Sequence, residues 1–198
     1  AATQALPRRP RHRQREVEAD DARIGVALGE PAAAFAGSAA EMSIAENIVL
    51  AMHRGQRRTL APAVTRKVRQ AIAGKVSALK MGVEERLDNP IGSLSGGQRQ
   101  ALTLLMATWL RPKLLLLDQH TAALDPKSAA KVAELTKQII DQEKLTALMV
   151  THSMQQAVDL PDRIVMMHRG QIVEDYRADM KRRVRIPARS TKTKNDTV

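Results

Sequence analysis

From residue 43 onward, apolar and polar positions fall into segments that alternate between helical and strand character. "SIAENIVLAM" sets Ser43 and Glu46 in capping-box spacing ahead of an apolar run, which predicts a helix start. Val64, Val68, Ile72, Val76 and Leu79 recur every three or four residues as one helical stripe, backed by Arg66, Lys67, Arg69 and Lys75. So narrow a stripe fits a surface helix of a packed domain better than one lying on a membrane. Residues 98–110 carry Ala101, Leu102, Leu104, Leu105, Met106 and Trp109 nearly all round, so this helix should be deeply buried. "KLLLLD" is a short continuous apolar run, expected of a parallel strand covered on both faces. Asp125-Pro126 supplies an N-cap and a first-turn proline, and Val132, Leu135, Ile139 and Ile140 give the helix behind them one apolar face. "TALMVTH" reads as a second strand and "MQQAVDL" as a short helix stopped before Pro161. "RIVMMHRGQIVED" reads as two strands turning at Arg169-Gly170. Such alternation predicts a layered α/β fold.

Upstream the texture differs. Residues 1–41 are rich in Arg, Pro and Ala, and we expect them to be irregular apart from a short strand near 23–28. The chain then divides into that segment, a folded body over 42–175 and a basic flexible tail over 176–198. Within the body, about 43–110 form a helical subdomain and about 111–175 a strand-containing half.

A length of 198 residues favours a single domain. No apolar run is long enough to cross a bilayer, and the arginines near the start precede no apolar stretch of a signal peptide. With no cysteine there is neither a disulfide framework nor a thiolate metal site. The net charge of +11 points toward anionic partners. From Arg177 to the end, however, there are 8 basic and 2 acidic residues, so more than half of the surplus sits in the tail. With one Trp, one Tyr and one Phe for base stacking, no specific nucleic-acid partner is expected.

Three short motifs carry chemistry. In "LSGGQ" the glycines ahead of a helix let backbone approach a ligand, the helix start offers unpaired N–H groups to a phosphate, and Ser95 adds a hydroxyl. Asp118 ends a buried strand, at the sheet edge where ligands bind in open α/β folds, and there it can hold Mg2+. His152 follows the next strand and reaches the same edge. Taken singly, each also fits a turn, a cap or a structural histidine.

In this order and spacing the motifs resemble an ABC-transporter ATPase from about Ser43 to Asp175. "LSGGQ" is similar to the family signature, "LLLLDQ" to Walker B, Ala123–Asp125 to the D-loop and His152 to the switch histidine. The wording is most similar to ATPases of binding-protein-dependent importers of amino-acid-type solutes. The resemblance implies a P-loop NTPase fold of ABC type, with a helical subdomain and a largely parallel partial sheet. It implies an ATP-binding subunit, peripheral on the cytoplasmic face of a membrane, that couples ATP binding and hydrolysis to solute transport. Its partners would be a transmembrane permease and a second ATPase subunit, paired head to tail. By the same resemblance Ser95, Gly96, Gly97, Gln98 and Asp125 bind nucleotide, Asp118 helps hold Mg2+, and position 119 and His152 are catalytic.

The chain also departs from the family pattern. No G-x-x-x-x-G-K-[ST] phosphate loop occurs, because the only Gly-Lys pair, Gly74-Lys75, falls within a predicted helix and is followed by Val76. Aligned on "IGVALGEP", Gly29 stands where the resemblance expects the Q-loop glutamine. Gln119 replaces the glutamate that polarises water. It can hydrogen-bond water but cannot take its proton, and loss of a general base costs a factor of about 10²–10⁴. These departures predict a hydrolysis-deficient chain, with residues 1–41 deriving from a truncated or frame-shifted gene start. An alternative reading is a non-catalytic module that donates its LSGGQ face to an intact partner ATPase. In the family the missing phosphate-loop strand neighbours the strand near 147–150. That strand should therefore show an unpaired edge, giving marginal stability or self-association.

Overall fold

A computed structural model describes residues 24–28, 38–54 and 64–177. Its elements run in the order β1 (Ile24–Leu28), α1 (Ile44–Met52), α2 (Arg66–Ser77), α3 (Gly96–Thr108), β2 (Leu114–Asp118), α4 (Pro126–Glu143), β3 (Ala147–Val150), α5 (Met154–Asp159), β4 (Arg163–His168) and β5 (Gln171–Arg177). Two 3-10 turns, Glu84–Arg86 and Ile91–Ser93, join α2 to α3 and have no counterpart in the sequence reading. The chain is thus α/β, as its alternation predicts.

Five of these elements start on caps that the sequence spells out. Ser43 and Ser95 each close a capping box, with Glu46 and Gln98. Thr65, Asp125 and Ser153 accept backbone N–H groups at the starts of α2, α4 and α5. The Ser95 cap puts the start of α3 at Gly96, two residues before the expected position. Val64 precedes the cap of α2 and is exposed, so the buried stripe there reduces to Ile72, Val76 and Leu79.

The helical half encloses one cluster, built from Ile44 and Ile48 of α1, Ile72 and Val76 of α2, Val83, Leu87 and Ile91 of the connecting turns, and Leu102 of α3. As expected, α3 is buried along nearly its whole length. A bidentate Arg69–Asp88 pair clasps α2 to the connection.

The sheet is parallel, in the order β1-β2-β3. β2 lies in the middle, paired from Ile24↔Leu114 to Leu28↔Asp118 on one side and from Leu115↔Ala147 to Asp118↔Val150 on the other. β1 therefore draws residues 24–28 into the sheet. One face is closed: Leu115 and Leu117 are buried against Leu104 and Ala107 of α3, with Ile139, Ile140 and Met149 beside them. The other face corrects the expectation of cover on both sides. Leu148 and Val150 stand 60% and 51% exposed there, and Leu116 is half-buried. The last two strands form a separate antiparallel hairpin, turning at Arg169 (φ 49) and Gly170 (φ 76). That left-handed pair suits a type I′ turn.

Candidate functional site

Parallel pairing of β2 with β3 carries both chains to the same sheet edge, and the residues that follow them meet there. The Gln119 N–H donates to the Val150 carbonyl at 2.8 Å. Gln119 itself is left-handed, at φ 46. For a residue with a side chain that conformation costs about 1–3 kcal/mol, and such strain tends to gather at functional sites. Its amide nitrogen lies 2.9 Å from Nε2 of His152. An amide N–H donates only, so the ring nitrogen accepts, and the imidazole carries its hydrogen on Nδ1. Asp118, one residue earlier, ends β2 with its carboxylate exposed. The structure therefore brings Gln119 and His152 into contact and places Asp118 at the same sheet edge, outside the lining of the adjoining cavity.

A cavity of about 340 Å³ opens beside them, lined by Gln119, Thr121, Thr151, His152 and Gln156, among others. Gln156 bridges its two walls. Its amide donates to Thr121 Oγ1 at 2.9 Å, and its carbonyl oxygen accepts from Thr151 Oγ1 at 3.3 Å. This polar brace holds the loop after β2 against the loop after β3. The sequence reading missed Thr121, Thr151 and Gln156. The available signal was a hydroxyl residue just past the end of each strand.

Behind the cavity His120 is almost wholly buried. The Thr136 hydroxyl donates to the Val132 carbonyl at 2.8 Å, so Nε2–H of His120 donates to Thr136 Oγ1 at 3.0 Å. Burial penalises the charged ring and lowers its pKa to about 4, so it is neutral near pH 7. The neutral ring pins the strained Gln119 turn to α4.

Ser95, Gly96, Gly97 and Gln98 stand apart, at the start of α3, and do not line the cavity. Ser95 and Gly96 are exposed and available to a ligand. Gly97 is buried, and a Cβ there would lie 2.9 Å from the Cβ of Ser128 in α4. A Cβ on Gly96 would meet only the end of Leu124, at 3.2 Å. The two glycines thus differ: Gly97 allows α3 and α4 to pack, whereas Gly96 leaves backbone open outward. Gln98 is committed to the fold. Its Oε1 accepts from Ser95 N–H at 3.2 Å and its Nε2 donates to the Met81 carbonyl at 3.0 Å.

Asp125 caps α4, its Oδ1 accepting from the backbone of Lys127 at 3.1 Å and of Ser128 at 3.0 Å. Hydrogen bonding from Ser128, side chain before backbone, holds its carboxyl below the ordinary range. One residue, Ser128, therefore both supports the Asp125 cap and receives Gly97.

The donor set bears on which groups the site could hold. Among the described residues no three His, Cys, Asp or Glu side chains are placed to hold a metal ion. Asp118 alone suits Mg2+, which usually binds through one or two carboxylates together with substrate phosphates. A phosphate cradle is a different matter. The 198 residues contain no glycine-rich Walker loop, and Gly74-Lys75 lies inside α2 as expected. Gly29, the position aligned with the Q-loop glutamine, falls outside the described residues.

Known proteins resemble this chain in sequence and in fold. A family model described as "ABC transporter" matches residues 11–122 and so begins well upstream of Ser43. A tyrosine transport ATP-binding protein of Clostridioides difficile is 38% identical over 141 residues, which is 71% of this chain and 56% of that protein. A phosphate import ATP-binding protein, PstB 1 of Vibrio parahaemolyticus, is 39% identical over 140 residues, covering 69% of this chain and 48% of its own length. The chain spans about half the length of the curated relatives it matches. A nucleotide-free ATP-binding cassette from an ABC transporter superposes with a TM-score of 0.61 at 20% identity, over 84% of this chain and 65% of the cassette. That last likeness is one of fold.

Proposed function

This chain belongs to the ABC transporter family of ATP-binding proteins, and we propose that it is an ATP-binding subunit of an importer that does not hydrolyse ATP by itself. The observation that carries this reading is the joint placement of Asp118, Gln119 and His152 at one sheet edge, with an amide where a base would have to stand. In this reading Asp118 would help hold the Mg2+ of a bound nucleotide, and that ion would supply neutralisation of phosphate charge. Gln119 would orient water without accepting its proton, and His152 would face the terminal phosphate. The Gln119–His152 hydrogen bond ties these two groups to each other, and the Thr121–Gln156–Thr151 brace keeps their loops in register.

A second reading rests on the signature end. Ser95 and Gly96 are exposed at the start of α3, where the capping box engages only the Ser95 and Gln98 N–H groups, so this surface would suit a phosphate held by another subunit. The chain would then act as a non-catalytic module donating its LSGGQ face to an intact ATPase, in a head-to-tail pair beneath a transmembrane permease. In either reading it sits on the cytoplasmic side of a membrane. Among the described residues no helix is long and apolar enough to cross one. The solute would be of the amino-acid type.

The test is ATP-dependent co-purification of the full chain with an intact family ATPase at micromolar concentration, alongside phosphate release by the chain alone. The reading expects association that S95R abolishes, and no phosphate release. Failure to associate would remove the module reading. Turnover by the native chain without an added subunit would overturn the claim that it cannot hydrolyse ATP.

A further inference from the structure

The start of α3 and the start of α4 meet at two points, one on either side of Asp125. Beside Gly96 stands Leu124, its Cδ2 3.2 Å from where a Cβ on that glycine would lie. Beside Gly97 stands Ser128, its Cβ and Oγ 2.9 Å and 3.0 Å from the corresponding position. The first neighbour is the end of a flexible side chain, whereas the second is fixed to the backbone of an 18-residue helix. Ser128 also holds Asp125. Its backbone N–H donates to Oδ1 at 3.0 Å, and its hydroxyl donates to the same carboxylate. That hydroxyl is the largest influence keeping the Asp125 carboxyl below its ordinary range. A side chain as short as serine's can lie against a glycine and still reach the carboxylate three residues before it.

We propose that Ser128 is a positioning residue that couples the glycines of LSGGQ to Asp125, so that a shift at the start of α3 moves the Asp125 carboxylate. Close packing carries such a shift, because a contact without slack cannot absorb it. Gly97 is buried, and any approach of α3 to α4 there presses on the Ser128 Cβ. Displacing Ser128 alters both hydrogen bonds that it gives to Asp125. Gly96 lacks this link, since Leu124 can swing aside. The coupling deepens the reading in which the LSGGQ face meets a phosphate of another subunit, and its use rests on that reading. A ligand engaging Ser95 and Gly96 would be registered at Asp125, on a different helix. A serine that served packing and capping separately would leave the two helix starts independent of each other.

NMR titration of the full 198-residue chain without nucleotide tests this from both ends. In the native chain the Gly97 amide resonance should follow the titration of the Asp125 carboxyl carbon, with the same midpoint. S128A should abolish that response at Gly97 and move the Asp125 midpoint up toward the ordinary carboxylate range. A Gly97 response that is absent from the native chain, or that survives in S128A, would overturn the proposal. From the other end, G97A should raise the Asp125 midpoint and G96A should leave it in place. In an S128G background, where Cβ and Oγ are gone, G97A should add nothing to the shift that S128G makes alone. Equal effects of G96A and G97A, or a full effect of G97A on top of S128G, would also overturn it. The first arm uses no substitution at Gly97, so it decides the matter even if G97A fails to fold. Because no nucleotide enters either arm, failure here would remove the coupling and leave the LSGGQ reading to the co-purification test.

Discussion

Substituting Gly97 with alanine sets two effects of opposite sign against each other. Gly97 is the second residue of α3, where alanine should stabilise the helix by about 0.5–1 kcal/mol. The new methyl, however, would lie 2.9 Å from Ser128 Cβ and 3.0 Å from its Oγ. Carbon atoms rest about 3.5–4.0 Å apart, so α3 must move away from α4 by more than half an ångström. Overpacking of this kind costs about 1–3 kcal/mol and outweighs the propensity gain, so G97A should be net destabilising by about 1–2 kcal/mol. The partner can be tested as well. S128G removes both clashing atoms and leaves only Cα at 3.8 Å, whereas S128A keeps the Cβ. Each change at Ser128 also removes its side-chain hydrogen bond to Asp125 while leaving the backbone one, so each has its own cost. G97A/S128G should therefore be more stable than the sum of its single variants by about 1 kcal/mol or more, and G97A/S128A should be close to additive. Urea unfolding followed by circular dichroism reports this, with Trp109, the only tryptophan and packed on the helical core, as a second probe. Equal stability of G97A and the native chain would refute the packing role of Gly97. So would additivity of G97A with S128G.

Three further outcomes follow from the site. The buried His120 has its pKa lowered from 6.5 to about 4, so the unfolded chain takes up the proton first. The stability it contributes is complete above pH 6.5 and is lost as pH falls toward 4, by about 3 kcal/mol in all. Unfolding curves of H120N should lose that part of the pH dependence. G96A should leave the urea midpoint nearly unchanged, because Leu124 can swing aside, yet weaken ATP-dependent association with an intact ATPase. D125A removes the side-chain acceptor of two backbone N–H groups, those of Lys127 and Ser128, at the start of α4 and should lower the thermal midpoint at neutral pH. At a pH low enough to protonate the native carboxyl, D125A and the native chain should converge, as a scanning-calorimetry pH series would show.

Local chemistry explains why some of this was legible in the sequence. Ser43 with Glu46, Asp125 with Pro126, and Arg169-Gly170 each act within four residues, so cap and turn could be read directly. The apolar runs at Leu114–Asp118 and Ala147–Val150 named their strands for the same reason. Cover could not be read this way. Leu116 and Leu148 are as apolar as Leu115 and Leu117, yet only the latter two meet α3. Whether a face is covered depends on partners far away in the chain. The Thr121–Gln156 brace joins residues 35 apart, and the Gly97–Ser128 contact joins helices separated by a strand, so neither leaves a periodic trace. Within LSGGQ the sequence gives both glycines the same appearance, and only packing assigns one to the fold and the other to a ligand.

The central proposal is that this polypeptide would supply the Mg2+ and water-positioning end of an ABC-type ATPase and would not complete hydrolysis alone. Phosphate release under saturating Mg-ATP, measured for the native chain and for Q119E, tests it most directly. The account predicts no release above background from either, because a restored carboxylate still has no phosphate cradle in these 198 residues to act upon. Sustained turnover by Q119E in the absence of any other subunit would contradict it.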